Sequence, residues 1–182
     1  MANITRTLLV VQHSRTGGTL QMAQALADAA RAAIEADHQA NGAADGESAS
    51  VTVRLLPASQ AGPADLLAAD AYVFATPENL AAVSGLMKDF FDRSYYPVLD
   101  RIQGRPCALL ICAGTDGHNA ARQIERITTG WRLRLVAPPL IVLTGAQTPE
   151  QILAAKHIGR ADLERCRELG AALATGLALG IY

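Results

Sequence analysis

Ser14-Arg15-Thr16-Gly17-Gly18-Thr19 places three hydroxyls, a guanidinium and two glycines within six residues. The stretch follows His13 and the apolar run Thr7-Leu8-Leu9-Val10-Val11-Gln12, and it opens a long helical pattern. That combination suits an anion. Backbone N–H groups at a helix N-terminus have no intrahelical partners, and the helix dipole favours negative charge there. Ser14, Thr16 and Thr19 add hydroxyl donors, Gly17 and Gly18 allow close backbone approach, and Arg15 adds charge. The spacing S-x-T-G-x-T is neither G-x-x-x-x-G-K-[ST] nor G-x-G-x-x-G, so neither of those two phosphate motifs applies.

Two further loops carry chemistry-capable residues. Thr76-Pro77-Glu78-Asn79 leads into Ser84-Gly85-Leu86-Met87-Lys88-Asp89-Phe90-Phe91-Asp92-Arg93, and Gly114-Thr115-Asp116-Gly117-His118 follows another apolar run. Lys88 and Asp92 are four residues apart on one predicted helix, which predicts a surface ion pair contributing about 0.2–0.5 kcal/mol rather than a catalytic couple. Phe90, Phe91, Tyr95 and Tyr96 predict core or a subunit interface. His118 sits at a predicted site, as a ligand contact or a helix cap. His13 reads as structural, and His38 and His157 as isolated surface residues. No His/Cys/Asp grouping has metal-ligand spacing, and no G-x-S-x-G elbow points to nucleophilic catalysis.

The elements that must position these loops follow from periodicity. Segments 7–12, 71–75 and 106–113 are nearly continuous apolar runs, as strands buried on both faces must be. Segment 51–56 alternates Val51, Val53 and Leu55 with Thr52 and Arg54, which suits a sheet edge. Segment 132–136 also alternates and resumes as 140–143 beyond Pro138-Pro139; paired prolines lack N–H donors and belong at an edge. Three-and-four spacing predicts helices over 18–37, 85–95, 118–130 and 160–179, with a short one over 63–69 opened by Pro63. Residues 40–50, rich in Ala, Gly, Asp, Asn and Ser, predict a flexible surface loop. The alternation predicts an α/β fold: one domain over residues 1–182, built as a three-layer doubly wound parallel sheet of five strands. Apolar central strands and half-exposed edges give the order 2-1-3-4-5. Ligands in such a sheet sit beyond the carboxyl ends of the strands where the winding reverses, which is where 13–19, 76–85 and 113–118 meet.

Composition limits the partners. The 182 residues carry a net charge of −1 and 50% hydrophobic residues, so no basic footprint for nucleic acid or anionic membrane is present. The near-neutral balance also argues against a dedicated electron shuttle, which docks through a strongly charged face. No signal-peptide pattern opens the chain and no run approaches the ~20 apolar residues of a membrane span, so a cytoplasmic protein without membrane attachment is expected. Cys107, Cys112 and Cys166 form no C-x-x-C and predict buried free thiols. Five-residue spacing turns the first two to opposite faces of one strand.

The loop 14–19 resembles the FMN-phosphate loop of the flavodoxin-like family. Thr76-Pro77-Glu78-Asn79 and Ser84 to Arg93 are similar to the T-P-E-Y-N and S-G-x-(L/M)-K-x-F-x-D-R elements of NAD(P)H-dependent FMN reductases and related flavodoxin-type quinone oxidoreductases. This second match is the more specific, because ten residues agree in order. The resemblance implies FMN as cofactor, its phosphate on Ser14, Arg15, Thr16, Gly17, Gly18 and Thr19. Thr76, Pro77, Glu78 and Asn79 would lie along the isoalloxazine ring, with Gly114, Thr115, Asp116, Gly117 and His118 flanking its dimethylbenzene or pyrimidine side. It further implies an oxidoreductase passing electrons from NADPH or NADH to a small acceptor such as a quinone or a second flavin. A homodimer, with a neighbouring protomer walling the pocket, is implied as well. No side-chain acid or base is assigned, since hydride transfer to a flavin needs none, and no metal is expected. Leu80 and Ala81-Ala82 stand where the family often carries a stacking aromatic. Glu78 and Asp116, if turned to the ring, would disfavour negative charge on it. Two other readings stay open: a non-enzymatic flavodoxin-type carrier, and a flavin-free binding or regulatory domain of the same fold.

Overall fold

The computed structural model describes residues 5–40 and 50–182, so the predicted loop over 40–50 lies outside the described residues save for its two ends. In chain order the first half comprises β1 (Thr5–Gln12), α1 (Gly18–Ala40), β2 (Ser50–Pro57), α2 (Pro63–Ala68), β3 (Ala71–Asn79) and β4 (Ala82–Val83). The second half comprises α3 (Gly85–Val98), β5 (Pro106–Ala113), α4 (His118–Gly130), β6 (Arg134–Leu135), β7 (Leu140–Leu143), α5 (Pro149–Leu153) and α6 (Arg160–Ala178).

β1, β3 and β5, the most apolar runs, form the centre of the sheet. β2 pairs parallel to β1 from Thr5↔Ser50 to Gln12↔Pro57, β3 pairs with β1 from Leu8↔Ala71, and β5 pairs with β3 from Tyr72↔Cys107. The last position is shared by β6 and β7, both parallel to β5 and separated by Pro138-Pro139. The order is therefore the predicted 2-1-3-4-5, with its fifth strand in two pieces and β4 folded back on β3 as an added antiparallel turn. β3 runs to Asn79 rather than stopping at 75, because its pairing with β5 continues to Pro77↔Cys112 and the hairpin takes up the last residues.

Alternation along the central strands divides the interior in two. Leu8, Val10, Val73 and Leu110 pack beneath Met22 and Leu26 of α1 and Cys166 and Leu173 of α6. Leu9, Val11, Phe74 and Ile111 pack beneath Leu66 of α2, Phe90 and Phe91 of α3 and Ile124 of α4. Phe74 and Phe91 meet with ring centroids 5.1 Å apart, and Tyr95 stacks on Trp131, whose Nε1 donates to the Tyr95 carbonyl at 3.0 Å. Aromatic mass is thus concentrated on the α3–α4 side of the sheet. Cys107 and Cys112 fall in opposite cores, and all three cysteines are free and buried. Burial pushes the Cys107 thiol up to about 12 and Cys166 up to about 11.

α1 and α6 cross so closely that Gly170 has no room for a side chain: a Cβ there would run into the Leu26 carbonyl oxygen and come within 2.8 Å of its carbon. Among the described residues, no helix is long and apolar enough to cross a membrane.

Candidate functional site

The chain leaves β1 beside β3, with the His13 N–H donating to the Ala75 carbonyl at 3.0 Å. It then turns into α1 through 14–17. Gly17 has φ +88, a left-handed value that penalises residues with a Cβ. Gly18 serves clearance instead: a Cβ there would lie 2.7 Å from Cys112 Sγ and 3.2 Å from Lys156 Cβ.

Ser14 Oγ is buried and has no hydrogen-bond partner among the described residues. Thr19 Oγ1, equally buried, has the weakly bonding Cys112 thiol beside it but no oxygen or nitrogen partner. A buried hydroxyl without a partner costs roughly 1–3 kcal/mol. Both residues line a cleft of about 430 Å³ at the carboxyl ends of the central strands. Two orphaned donors beside the N-terminus of α1 fit a phosphate monoester, which accepts from O–H and backbone N–H alike. Exposed Arg15, which has no ion pair among the described residues, stands at the same wall.

Of the residues singled out in the sequence, Ser14, Arg15, Thr16, Thr19, Pro77, Glu78, Asn79, Gly114 and Thr115 line this cleft. Gly17, Gly18, Thr76, Asp116, Gly117 and His118 do not. Thr76 is fully buried beneath it: His13 Nδ1 lies 2.8 Å from Ser84 Oγ, which lies 2.9 Å from Thr76 Oγ1. This chain of polar atoms ties the first loop to the second. Asp116 is exposed and accepts from the His118 N–H at 3.4 Å, and His118 begins α4 facing solvent. Gly117, at φ +92, supplies the turn before α4, where a Cβ would lie 2.7 Å from Ile141. Lys88 and Asp92 form the expected exposed ion pair at 2.6 Å.

Glu78 corrects an expectation. Its carboxylate is engaged at the N-terminus of α4, where Oε2 accepts from the Gly117 N–H at 2.8 Å and Oε1 from the Ala120 N–H at 3.3 Å. Amide donors and the helix dipole offset its charge, so Glu78 anchors the third loop to the second rather than presenting a free negative charge.

His13 is held below its ordinary value of 6.5, first by burial and then by the Arg15 charge. The folded state therefore favours neutral His13. The associated stability is fully present above pH 6.5 and is lost as pH falls from there through the lowered folded value. Urea midpoints between pH 7.5 and 5 are expected to decline in the wild type and to decline less in His13→Asn; equal slopes would show that His13 does not set this dependence.

Two features of the wall are not legible in the sequence: the hairpin form of the 76–85 loop, and a further segment beyond β7. One is the β3–β4 hairpin, with Glu78↔Val83 and Asn79↔Ala82 paired around Leu80 (φ 51) and Ala81 (φ 57). Asn119 donates to the Ala81 carbonyl, and Gln123 Oε1 accepts from the Val83 N–H at 2.9 Å, so α4 fixes the turn. The other is the connection from β7 to α6, which contributes Thr144, Ala146, Ile152, Leu153 and Lys156. Thr148 caps α5 by accepting from the Gln151 N–H at 3.3 Å, and Gln151 Oε1 accepts back from the Thr148 N–H at 3.2 Å. The T-x-x-Q spacing of that capping box was the available signal. Beyond α5, the Lys156 N–H donates to the Thr16 carbonyl at 2.8 Å, and Gln21 brackets the crossing through Lys156 O at 2.6 Å and the Ile158 N–H at 3.2 Å.

Known proteins share this fold. A flavodoxin of Aquifex aeolicus (strain VF5) is 27% identical over 176 residues, covering 94% of this chain and 87% of that protein. Among solved structures, a flavodoxin from the domain Archaea superposes with a TM-score of 0.70 at 19% identity, covering 94% of this chain and 98% of its own. A flavodoxin, WrbA-like protein from Agrobacterium tumefaciens gives 0.65 at 20% identity, with 93% and 96% covered. The family model described as NADPH-dependent FMN reductase matches residues 7–148, from within β1 to the cap of α5. All three loops around the cleft fall inside that match, and on this ground the chain belongs to the flavodoxin-like NADPH-dependent FMN reductase family.

Proposed function

We propose that this chain is an FMN-dependent oxidoreductase that takes electrons from NADPH or NADH and passes them to a small acceptor such as a quinone or a second flavin. The observation that carries the reading is the pair of buried hydroxyls without an oxygen or nitrogen partner, Ser14 Oγ and Thr19 Oγ1, on residues that line the cleft beside the start of α1. Ser14, Thr16 and Thr19, with the backbone amides entering α1, would hold the phosphate, and Arg15 would add charge at the rim. Pro77, Glu78, Asn79, Gly114 and Thr115, which line the same cleft, would flank the ring. When bound, FMN supplies the electron-transfer chemistry. The chain's own residues bind and orient it: Glu78 fixes the third loop on the second, and the His13–Ser84–Thr76 contacts fix the second on the first.

The protein is proposed to act in the cytoplasm, without nucleic acid or membrane, as a homodimer. A carrier reading is favoured by the similarity to the Aquifex flavodoxin, while the net charge of −1 favours the enzyme. Purified protein mixed with excess FMN and desalted is expected to keep a visible flavin band and then to oxidise NADPH or NADH with a soluble quinone. A colourless product would remove the cofactor; a retained flavin without nicotinamide turnover would leave the carrier.

A further inference from the structure

We infer that Leu80 on the β3–β4 hairpin and Ile152 and Leu153 on α5 form an aliphatic clamp for the flavin ring, with Lys156 as the positioning residue that fixes α5. The inference rests on the FMN reading and names which residues cover the ring. Leu80, Ile152 and Leu153 are 102%, 51% and 62% exposed, and all three line the one cleft that holds the orphaned hydroxyls. Single exposed leucines are ordinary on protein surfaces, but three at one cleft, each held by a dedicated device, are not.

Leu80 is presented by strain. It and Ala81 both adopt left-handed backbone at the centre of a tight hairpin, a conformation in which Asn-Gly is the relaxed choice. The turn is kept in this form by Asn119 and Gln123 of α4. Ile152 and Leu153 are presented by a five-residue helix, too short to persist unaided. Lys156 Nζ donates to the carbonyls of Gln151 at 2.6 Å, Ile152 at 2.9 Å and Ala154 at 2.6 Å, so one ammonium gathers the carbonyl end of that helix. Its own backbone N–H holds Thr16 of the phosphate loop, so the apolar wall and the anion site are set by one residue.

The chemistry of the cover follows from its composition. The chain has one Trp, four Tyr and three Phe, and none of them lines the cleft. A flavin ring held there would meet no aromatic side chain of its own chain, and the aliphatic clamp would bury its faces without donating an electron to its excited state. Tryptophan or tyrosine against the ring would quench its emission by such transfer.

The test is titration of the apo protein with FMN, read by flavin fluorescence and anisotropy, with inorganic phosphate as competitor. Bound FMN is expected to keep most of its emission while its anisotropy rises. Leu80→Ala and the double variant Ile152→Ala/Leu153→Ala are each expected to raise the FMN Kd about tenfold, through lost apolar contact. Neither should change inhibition by phosphate or the urea midpoint, since these side chains lie at the surface. Lys156→Met should raise Kd several-fold in the wild-type background and add nothing in the Ile152→Ala/Leu153→Ala background, whereas Lys156→Arg should restore binding. FMN that binds but is strongly quenched, or binds with an unchanged Kd in the clamp variants, overturns the clamp and leaves the FMN reading standing. A wild-type chain that takes up no FMN overturns both.

Discussion

Gly17→Asp is expected to weaken FMN binding on the order of 100-fold, whereas Gly17→Asn should stay within about threefold of wild type. Residue 17 has φ +88, and Asn and Asp are the side-chain-bearing residues that best tolerate left-handed backbone. A Cβ at this position meets nothing nearer than Gln21 Nε2 at 3.6 Å, so both variants have room. They differ in charge. A carboxylate just before α1 competes with the phosphate for the same amide donors and repels it as well. At about 5 Å and an effective dielectric of about 20, each pair of unit charges costs about 3 kcal/mol, which is two orders of magnitude in affinity. The measurement is an FMN titration of both variants, with urea midpoints to show that each remains folded. If the two bound FMN equally well, the phosphate would have to lie away from residues 14–19.

Gly170→Ala should have the largest effect on stability. Alanine gains about 1 kcal/mol over glycine as a helix former, so substitution at an open site on α6 would be favourable. Here the new methyl would run into the Leu26 carbonyl of α1 and lie 3.0 Å from its Cα. Backbone atoms cannot rotate aside as a flexible side chain can, so the helices must separate, loosening Met22, Leu26, Cys166 and Leu173 together. Overpacking of this kind costs about 1–3 kcal/mol or more, and the expected net loss is about 2 kcal/mol. Urea unfolding should show a lower midpoint with an unchanged slope. A variant at least as stable as wild type would mean that the helices part easily at this crossing.

The parts of the fold that depend on local pattern were readable in the sequence, and those set by distant partners were not. The apolar runs at 7–12 and 106–113 and the spacing of Ala121, Ile124 and Ile127 lead to β1, β5 and α4 because burial on two faces, or on one, leaves a periodic signature. The β3–β4 hairpin was missed because Leu80-Ala81 carries none of the Asn-Gly or Asp-Gly chemistry that marks such turns; contacts from α4, about forty residues away, hold it. α5 was missed because five residues are too few for a helical period to emerge, although its capping box was present. The same division holds at the cleft. Ser14 and Thr19 were identifiable from residue type beside a strand end, whereas Lys156 reaches Thr16 across a chain separation that no local motif spans. Glu78 was placed at the cleft by its loop, but only the packed α4 N-terminus dictates where its carboxylate goes.

The break at Pro138-Pro139 has a bearing on how this molecule behaves when crowded. It divides the outermost strand into pieces of two and four residues and removes amide donors between them. That side offers a foreign strand no more than four consecutive residues to pair with, which disfavours growth into a continuous fibre from this edge.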